Sequence, residues 1–427
     1  MKLLIATDAF PPVCGGSGWS TYELARGLRE RGHDITIVQP VGGSETTRPT
    51  VGGSNRTRPT TGTREYDGFG VIEFHYWAPR VPFVRNYFKN ERLSAALSAF
   101  LERLIADRGI ELVHAQHLLT GPGSIRAARR SGIPGVCTIR DYWPICYWSD
   151  LIHDESSEGT CPGCTASMMT RCVRPHAGAT WPLALPMIPY MRANLRFKRS
   201  ALAQASAIVA VSDAVAHLVR TRGPELSSSR IEVIPNPVDV QAIQLQAGRQ
   251  PSPQSGPYAV FVGKLERNKG MAALMTLLER VRLEWPLVIV GDGAERSALE
   301  SAARRSSFPV HFTGWLPRER VLGWIRHAAF VVFPSRWPEP LSRVLLEASA
   351  LGVPVAALET GGTRDVIIDG ETGCLAADVT GFIAAVDRLR RDEALRVKLG
   401  AAARRHVESR FETSVVVRRM EELYRSL

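Results

Sequence analysis

Twice along this chain a series of short, mainly apolar runs alternates with glycine-bearing turns and helix-forming stretches. The first series opens with Lys2–Thr7, passes through a turn holding Pro11, Pro12, Gly15, Gly16 and Gly18, and continues as a helix from about Trp19 to Arg31. Gly32 stops that helix and Ile35–Val38 is the next run. Leu112–His114, Gly135–Ile139 and Ala207–Val211 extend the series, which restarts at Tyr258–Val262, Leu287–Val290, Val310–Phe312, Ala329–Phe333 and Pro354–Ala357. Runs this apolar are buried on both faces, and a β–loop–α–β order builds a doubly wound parallel sheet. Two series predict two Rossmann-like α/β domains: residues 1–240, a linker over 241–256 (QAIQLQAGRQPSPQSG), and residues 257–411, with a C-terminal helix over 412–427.

A length of 427 residues agrees with two cores rather than one. A hydrophobic content of 44% and a charged content of 22% are those of a globular protein. The net charge of +11 comes almost wholly from arginine. No basic block interleaves with aromatics as in a nucleic-acid module, so nucleic acid is not an expected partner. The start MKLLIATDAF runs straight into a strand pattern instead of a signal peptide, and no run of 18 apolar residues exists to span a bilayer. The expectation is a cytoplasmic protein, or one peripheral at the inner face of a membrane. The tandem decapeptides VGGSETTRPT and VGGSNRTRPT (Val41–Thr60) offer little to bury and read as a mobile surface loop.

Chemistry concentrates in PSRWPEPLSRVLLE, Pro334–Glu347. Two carboxylates, Glu339 and Glu347, stand eight residues apart around a Pro340–Leu341–Ser342 turn that opens a helix ending at Gly352. Glu347 is expected about two turns inside it. A helix N-terminus presents unpaired N–H groups and a positive dipole end, which suits a diphosphate, while carboxylates accept hydrogen bonds from sugar hydroxyls. Before another helix, YAVFVGKLERNKG places Lys264 and Lys269 on one strand–helix loop, a cationic clamp for a departing diphosphate.

These elements together resemble glycosyltransferase family 4, retaining enzymes of the two-domain GT-B fold. The matches are Pro11–Pro12 with Gly15–Gly16, Val211–Ser212, IPNPVD (Ile234–Asp239), Gly263–Lys264 with Lys269–Gly270, Gly291–Asp292–Gly293, and Phe312–Thr313–Gly314. The E-x7-E of Glu339 and Glu347, Gly361–Gly362 and DGETG (Asp369–Gly373) complete the set, which runs over nearly the whole chain. The resemblance implies a hexosyltransferase working in a cleft between its domains, using a UDP- or GDP-linked sugar. It implies an acceptor that is a glycan, a lipid-linked group or a small molecule, in cell-surface polysaccharide or glycoconjugate biosynthesis. Glu339 would meet the donor sugar and Glu347 the ribose. Pro340, Leu341, Ser342 and Val344 would meet sugar and phosphate through backbone, and Lys264, Lys269 and Gly263 the diphosphate. Gly15 and Gly16 would let a loop approach the phosphates, and Gly314 to Leu316 would hold the base. No cofactor is implied for the chemistry. Two other readings of the same motifs are a GT-B sugar-nucleotide epimerase and a sugar-nucleotide-binding protein without catalysis.

The chain departs from the family pattern at Lys264, where Arg is common, at Ser342 for Gly, and at Asp365 for Glu. It also places Arg140 where a His is frequent, predicting a more cationic pocket there; His114 or His117 could substitute. The acceptor side is expected around His117, Arg140, Asp141 and Tyr142. An insertion from Asp141 to about Pro186 carries Cys146, Cys161, Cys164 and Cys172. The CPGC knuckle has metal-ligand spacing, so a structural zinc, an iron–sulfur centre and unbound thiols are all open. Beyond it, Ala179–Met191 is apolar but broken by three prolines, and Arg192, Arg196 and Arg199 share a helix face that could rest on anionic lipid.

Overall fold

A computed structural model describes residues 1–43, 59–81, 83–153, 160–280 and 283–427. Two compact units result: Met1–Pro235 with Val417–Leu427, and Asn236–Val416. Described strands of the N-terminal unit are β1 (Lys2–Ala6), β2 (Asp34–Gly43), β3 (Thr60–Tyr66), β4 (Phe69–Trp77), β5 (Leu112–Ala115), β6 (Gly135–Ile139), β7 (Ala207–Ala210) and β8 (Ile231–Val233). They pair in the order β3-β4-β2-β1-β5-β6-β7-β8. Every pairing is parallel except β3 with β4.

The second unit holds β9 (Ala259–Val262), β10 (Leu287–Val290), β11 (Val310–Gly314), β12 (Phe330–Phe333), β13 (Val355–Leu358) and β14 (Cys374–Ala376). Their order is β11-β10-β9-β12-β13-β14, parallel throughout. Central strands such as Leu287–Val290 and Phe330–Phe333 are buried along their length, as strands covered by helices on both faces must be. Helix starts are set locally. Side chains of Ser212, Asp239, Asp378 and Asp392 accept from the N–H three residues on, satisfying donors that the first turn leaves open.

In each sheet the winding reverses beside its first strand. The chain steps from β1 toward β2 on one side and β5 on the other, and from β9 toward β10 or β12. Parallel sheets leave a crevice at the carboxyl ends of such a pair, because the two following loops diverge to opposite faces.

Three expectations are corrected. Residues 241–256 are not a linker throughout, since Val240–Gly248 is a helix capped by Asp239. Val41–Gly43 belong to β2 and Thr60 to β3, so the tandem repeat enters and leaves on strands; residues 44–58 of it lie outside the described residues. The helix after the E-x7-E turn spans Arg343–Ala350 with Ser342 as its N-cap, which puts Glu347 little more than one turn inside.

The helix Thr413–Arg425 contributes its end to the N-terminal unit. There Glu421 receives Arg31 Nε at 2.7 Å and pairs with His33 Nε2 at 2.7 Å, and Tyr424 hydroxyl meets His114 Nδ1 at 2.6 Å.

Candidate functional site

In the second unit the reversal point lies between the ends of β9 and β12, and the motif residues leave the sheet there. After β9 the chain turns through a short 3-10 segment, Arg267–Lys269, and Gly270. Gly270 has φ +80°, and a Cβ there would stand 1.6 Å from Pro334 O. Only glycine both takes that conformation and lets the loop lie on the end of β12. Backbone N–H groups of Arg336 and Trp337 donate to Asn268 O at 3.1 and 2.8 Å, fastening the two loops together.

The contact delivers Lys269 to Glu339. Lys269 Nζ donates to Glu339 Oε1 at 2.5 Å, Ser335 Oγ donates to the same oxygen at 2.7 Å, and Lys269 Nζ sits 4.3 Å from the centroid of the Trp337 ring. The Glu339 side chain is 4% exposed and that of Lys269 22%. The Glu339 backbone is held as well: Gly362 N–H donates to Glu339 O at 2.6 Å, and a Cβ on Gly361 (φ +52°) would strike that oxygen at 2.4 Å. A buried carboxylate with an ammonium, a hydroxyl and an aromatic ring around it is rigidly aimed.

Glu347 is equally constrained. Arg318 Nε and Arg343 Nε reach its Oε1 at 3.2 and 3.0 Å. Arg318 is itself braced, donating from Nη1 to Gln246 Oε1 at 3.1 Å. Leu341 and Pro340 are buried. Ser342 makes no side-chain cap. The first-turn N–H groups from Arg343 onward are those that a helix leaves without internal acceptors. Lys264 is not brought to this group. It stands 76% exposed, 3.8 Å from Glu266. Gly263 closes β9 on Val290 O (3.0 Å), and Gly314 ends β11 at φ +70°, where Gly291 N–H donates to its carbonyl at 2.9 Å. Next to it Trp315 is 73% exposed and precedes Leu316.

In the N-terminal unit the reversal point lies between β1 and β5. Gly15 is the N-cap of the helix Gly16–Glu30, and a Cβ on Gly15 would meet nothing within 4 Å. That glycine is therefore not demanded by packing, whereas at Gly18 a Cβ would collide with Cys14 at 2.6 Å. The preceding loop is braced by Arg64 of β3, which donates to Pro11 O (2.7 Å), Phe10 O (3.2 Å) and Gln39 Oε1 (2.7 Å). Asp8 accepts from the backbone N–H groups of Leu119 and Thr120, tying the β1 loop to the β5 loop. From there His117 Nε2 reaches Asp141 Oδ2 at 3.3 Å. Burial pushes the Asp141 carboxyl up, against the opposing pull of His117, the Trp143 N–H and Lys198. Burial also pulls the Lys198 ammonium down to about 8, with Asp141 and Glu91 resisting.

Three sequence expectations change here. Arg140 is buried, and its Nη1 and Nη2 donate to Gln116 O and Gln116 Oε1 at 2.5 and 2.6 Å, which fixes the guanidinium on the residue that follows β5. His114 is fully buried between Tyr424 hydroxyl and Thr138 Oγ1 (2.6 and 2.7 Å); burial and then Arg140 pull its imidazole down to about 3, so it is a neutral structural group. Tyr142 has its ring wholly inside the core and serves packing. Among the described residues no three His, Cys, Asp or Glu side chains gather closely enough to hold a metal ion. Cys146, Cys161, Cys164 and Cys172 take part in no disulfide. Cys161 Sγ faces Gly163 O and Cys172 Sγ faces Met169 O, and Cys172 and Cys164 pack into an apolar satellite core around Met169, Val173, Ile188 and Met191.

Sequence reasoning missed Ser335, Trp337, Arg318 and Arg343. The (i, i+4) spacing of Arg343 and Glu347 on one helix was a usable signal; nothing in the sequence ties Arg318 to Glu347.

Two parallel α/β units, each with its motif residues at the sheet's reversal point, define a GT-B protein. Solved structures share this fold. Sucrose-phosphate synthase from Thermosynechococcus elongatus matches with a TM-score of 0.68 at 19% identity, over 100% of this chain and 99% of that one. HepE from Anabaena in complex with UDP matches with a TM-score of 0.64 at 18% identity, over the whole of both chains. The chain belongs to glycosyltransferase family 4: the family model "Glycosyltransferase Family 4" matches residues 14–242, and the model "Glycosyl transferases group 1" matches residues 256–392. It is similar to a glycogen synthase of Mycobacterium tuberculosis (strain ATCC 25618 / H37Rv), 27% identical over 446 residues, covering 99% of this chain and 94% of the relative. It is therefore a nucleotide-sugar-dependent glycosyltransferase.

Proposed function

We propose that this enzyme transfers a hexosyl unit with retention from a UDP- or GDP-linked sugar to a glycan, lipid-linked or small-molecule acceptor, in polysaccharide or glycoconjugate biosynthesis. The observation that carries the reading is the Lys269–Glu339 pair at the β9/β12 reversal point, beside the N-terminus of the helix Arg343–Ala350. Glu339 orients hydroxyls of the donor sugar, and Glu347, steadied by Arg318 and Arg343, receives the ribose. Lys269 and the helix N-terminus meet the negative charge that grows on the diphosphate as the anomeric C–O bond breaks. Lys264, exposed and able to swing, adds a second cation. The acceptor oxygen bonds to the anomeric carbon on the face the diphosphate leaves, and its proton passes to the departing phosphate oxygen. His117 and Asp141 form the polar wall of the acceptor side. The UDP held by HepE, a protein of the same fold, supports a uridine donor.

The test is release of nucleoside diphosphate from a panel of UDP- and GDP-sugars. Glu339→Ala and Lys269→Ala should each lower turnover by about a hundredfold or more. Arg343→Met should raise the donor KM about tenfold with little change in kcat, as loss of a ribose-positioning contact does. Turnover that survives the first two substitutions unchanged overturns the donor-site assignment.

A further inference from the structure

We propose that one face of the N-terminal unit, built from residues 77–81 and 83–92 and the helices of the insertion, rests on an anionic lipid surface. This goes beyond the donor reading and does not depend on it. Five large apolar side chains stand exposed on these two segments: Trp77 (42%), Val81 (58%), Val84 (46%), Tyr87 (48%) and Leu183 (80%). The segments form one body, since Phe83 packs with Trp181 and Leu185 in a single apolar cluster, and Tyr190 hydroxyl and Asn194 Nδ2 donate to Glu91 at 3.1 and 2.8 Å. Solvent-facing apolar groups held this firmly by the core beneath them mark a contact surface.

Charge identifies what the surface meets. From Thr160 to Ser212 the chain has no Asp or Glu and six Arg or Lys. From Trp77 to Phe100 its one carboxylate is Glu91, already taken by Tyr190 and Asn194. Arg80, Arg92, Arg171, Arg174, Arg192 and Arg196 stand exposed on these segments; Arg196, 79% exposed, lies 4.0 Å from Glu225. Apolar side chains among arginines, without exposed carboxylates, match anionic headgroups over an acyl layer. The insertion cannot cross that layer. Its pieces Ala166–Ala177, Trp181–Ala184 and Ile188–Leu202 are short and interrupted at Pro175, Pro182 and Pro186, and no described helix is long and apolar enough to span a membrane. The geometry is that of lying in the interface.

Flotation of the full chain with vesicles of phosphatidylcholine alone, and of phosphatidylcholine mixed with anionic phosphatidylglycerol, tests this. Binding to the anionic vesicles only, weakening as salt rises, is expected. Arg192→Gln/Arg196→Gln should weaken it about 25-fold, at about fivefold per cation removed. Val84→Ser/Leu183→Ser should weaken it about as much, and both variants should keep the parent melting temperature and the donor hydrolysis rate. Absence of binding to anionic vesicles overturns the proposal, as does binding that both variants leave unchanged. Binding to single-stranded RNA with the same variant dependence, in place of the vesicles, would assign the face to nucleic acid and overturn it too.

Discussion

Substituting Lys269 by Met tests whether Glu339 is held as a charged group by its partner or merely packed. In the structure Glu339 Oε1 has two donors, Lys269 Nζ at 2.5 Å and Ser335 Oγ at 2.7 Å, and the side chain is 4% exposed. At an effective dielectric constant of about 20 the Coulomb attraction at that separation is roughly 7 kcal/mol, most of it offset by desolvation of the two charges. Removing the ammonium alone leaves a buried carboxylate with one neutral donor, and should cost about 3 kcal/mol. Glu339→Gln keeps an acceptor for Lys269 and should cost about 1 kcal/mol. The double variant buries no unpaired charge and should cost about 2 kcal/mol, so the two singles exceed it by about 2 kcal/mol of coupling. Urea unfolding of the four proteins gives the cycle, with hydrogen exchange at residues 333–347 as the local readout. Single-variant costs that add to within about 0.5 kcal/mol would refute the claim that the pair is one electrostatic unit. All three variants should lose donor turnover, whatever each costs in stability.

Gly270→Ala should destabilise the donor unit by about 3 kcal/mol and abolish turnover, since its Cβ would sit 1.6 Å from Pro334 O at a left-handed φ; a melting curve within 2 °C of the parent would contradict this (roughly 0.5 kcal/mol for a domain of this size). The Arg31 and His33 contacts, with Arg31 the larger, hold the Glu421 carboxyl at about 2 against an ordinary 4.5. A depressed carboxyl contributes stability in full above its unfolded value and loses it as pH falls through the folded one. Glu421 should therefore supply roughly 2–3 kcal/mol at pH 7 that fades between about pH 4.5 and 2. Urea midpoints measured at falling pH should show Glu421→Gln less stable than the parent at pH 7, with the gap closing toward pH 3. A constant gap would remove the electrostatic explanation.

How far each group was legible follows from the range of the interactions that place it. Strand runs such as Leu287–Val290 were readable because a parallel strand covered on both faces must be apolar along its length. The helix opening at Ser342 was readable because its start and its Gly352 stop are written within a dozen residues. Arg140 shows the opposite case. The sequence suggested a cation for the pocket, but a partner 24 residues away, Gln116, accepts from both terminal guanidinium nitrogens. His114 was a candidate ligand group until the chain's other end, at Tyr424, supplied the hydroxyl that buries it as structure. Of the cysteines with metal spacing, Cys164 and Cys172 lie in an apolar cluster of the insertion, which spacing alone did not show.

By itself the sequence determined the class of fold and the donor motif, because strand burial, helix caps and the spacing of Glu339 and Glu347 are local properties of a few consecutive residues. Only the tertiary structure decided which of those charges work together. Lys269 and not Lys264 meets Glu339, and Arg318 joins Arg343 on Glu347. The physical reason is that charge–charge contact is set by where loops leave the sheet. The reversal between β9 and β12, with the Cβ-free approach at Gly270, brings residues 70 apart in the chain to 2.5 Å.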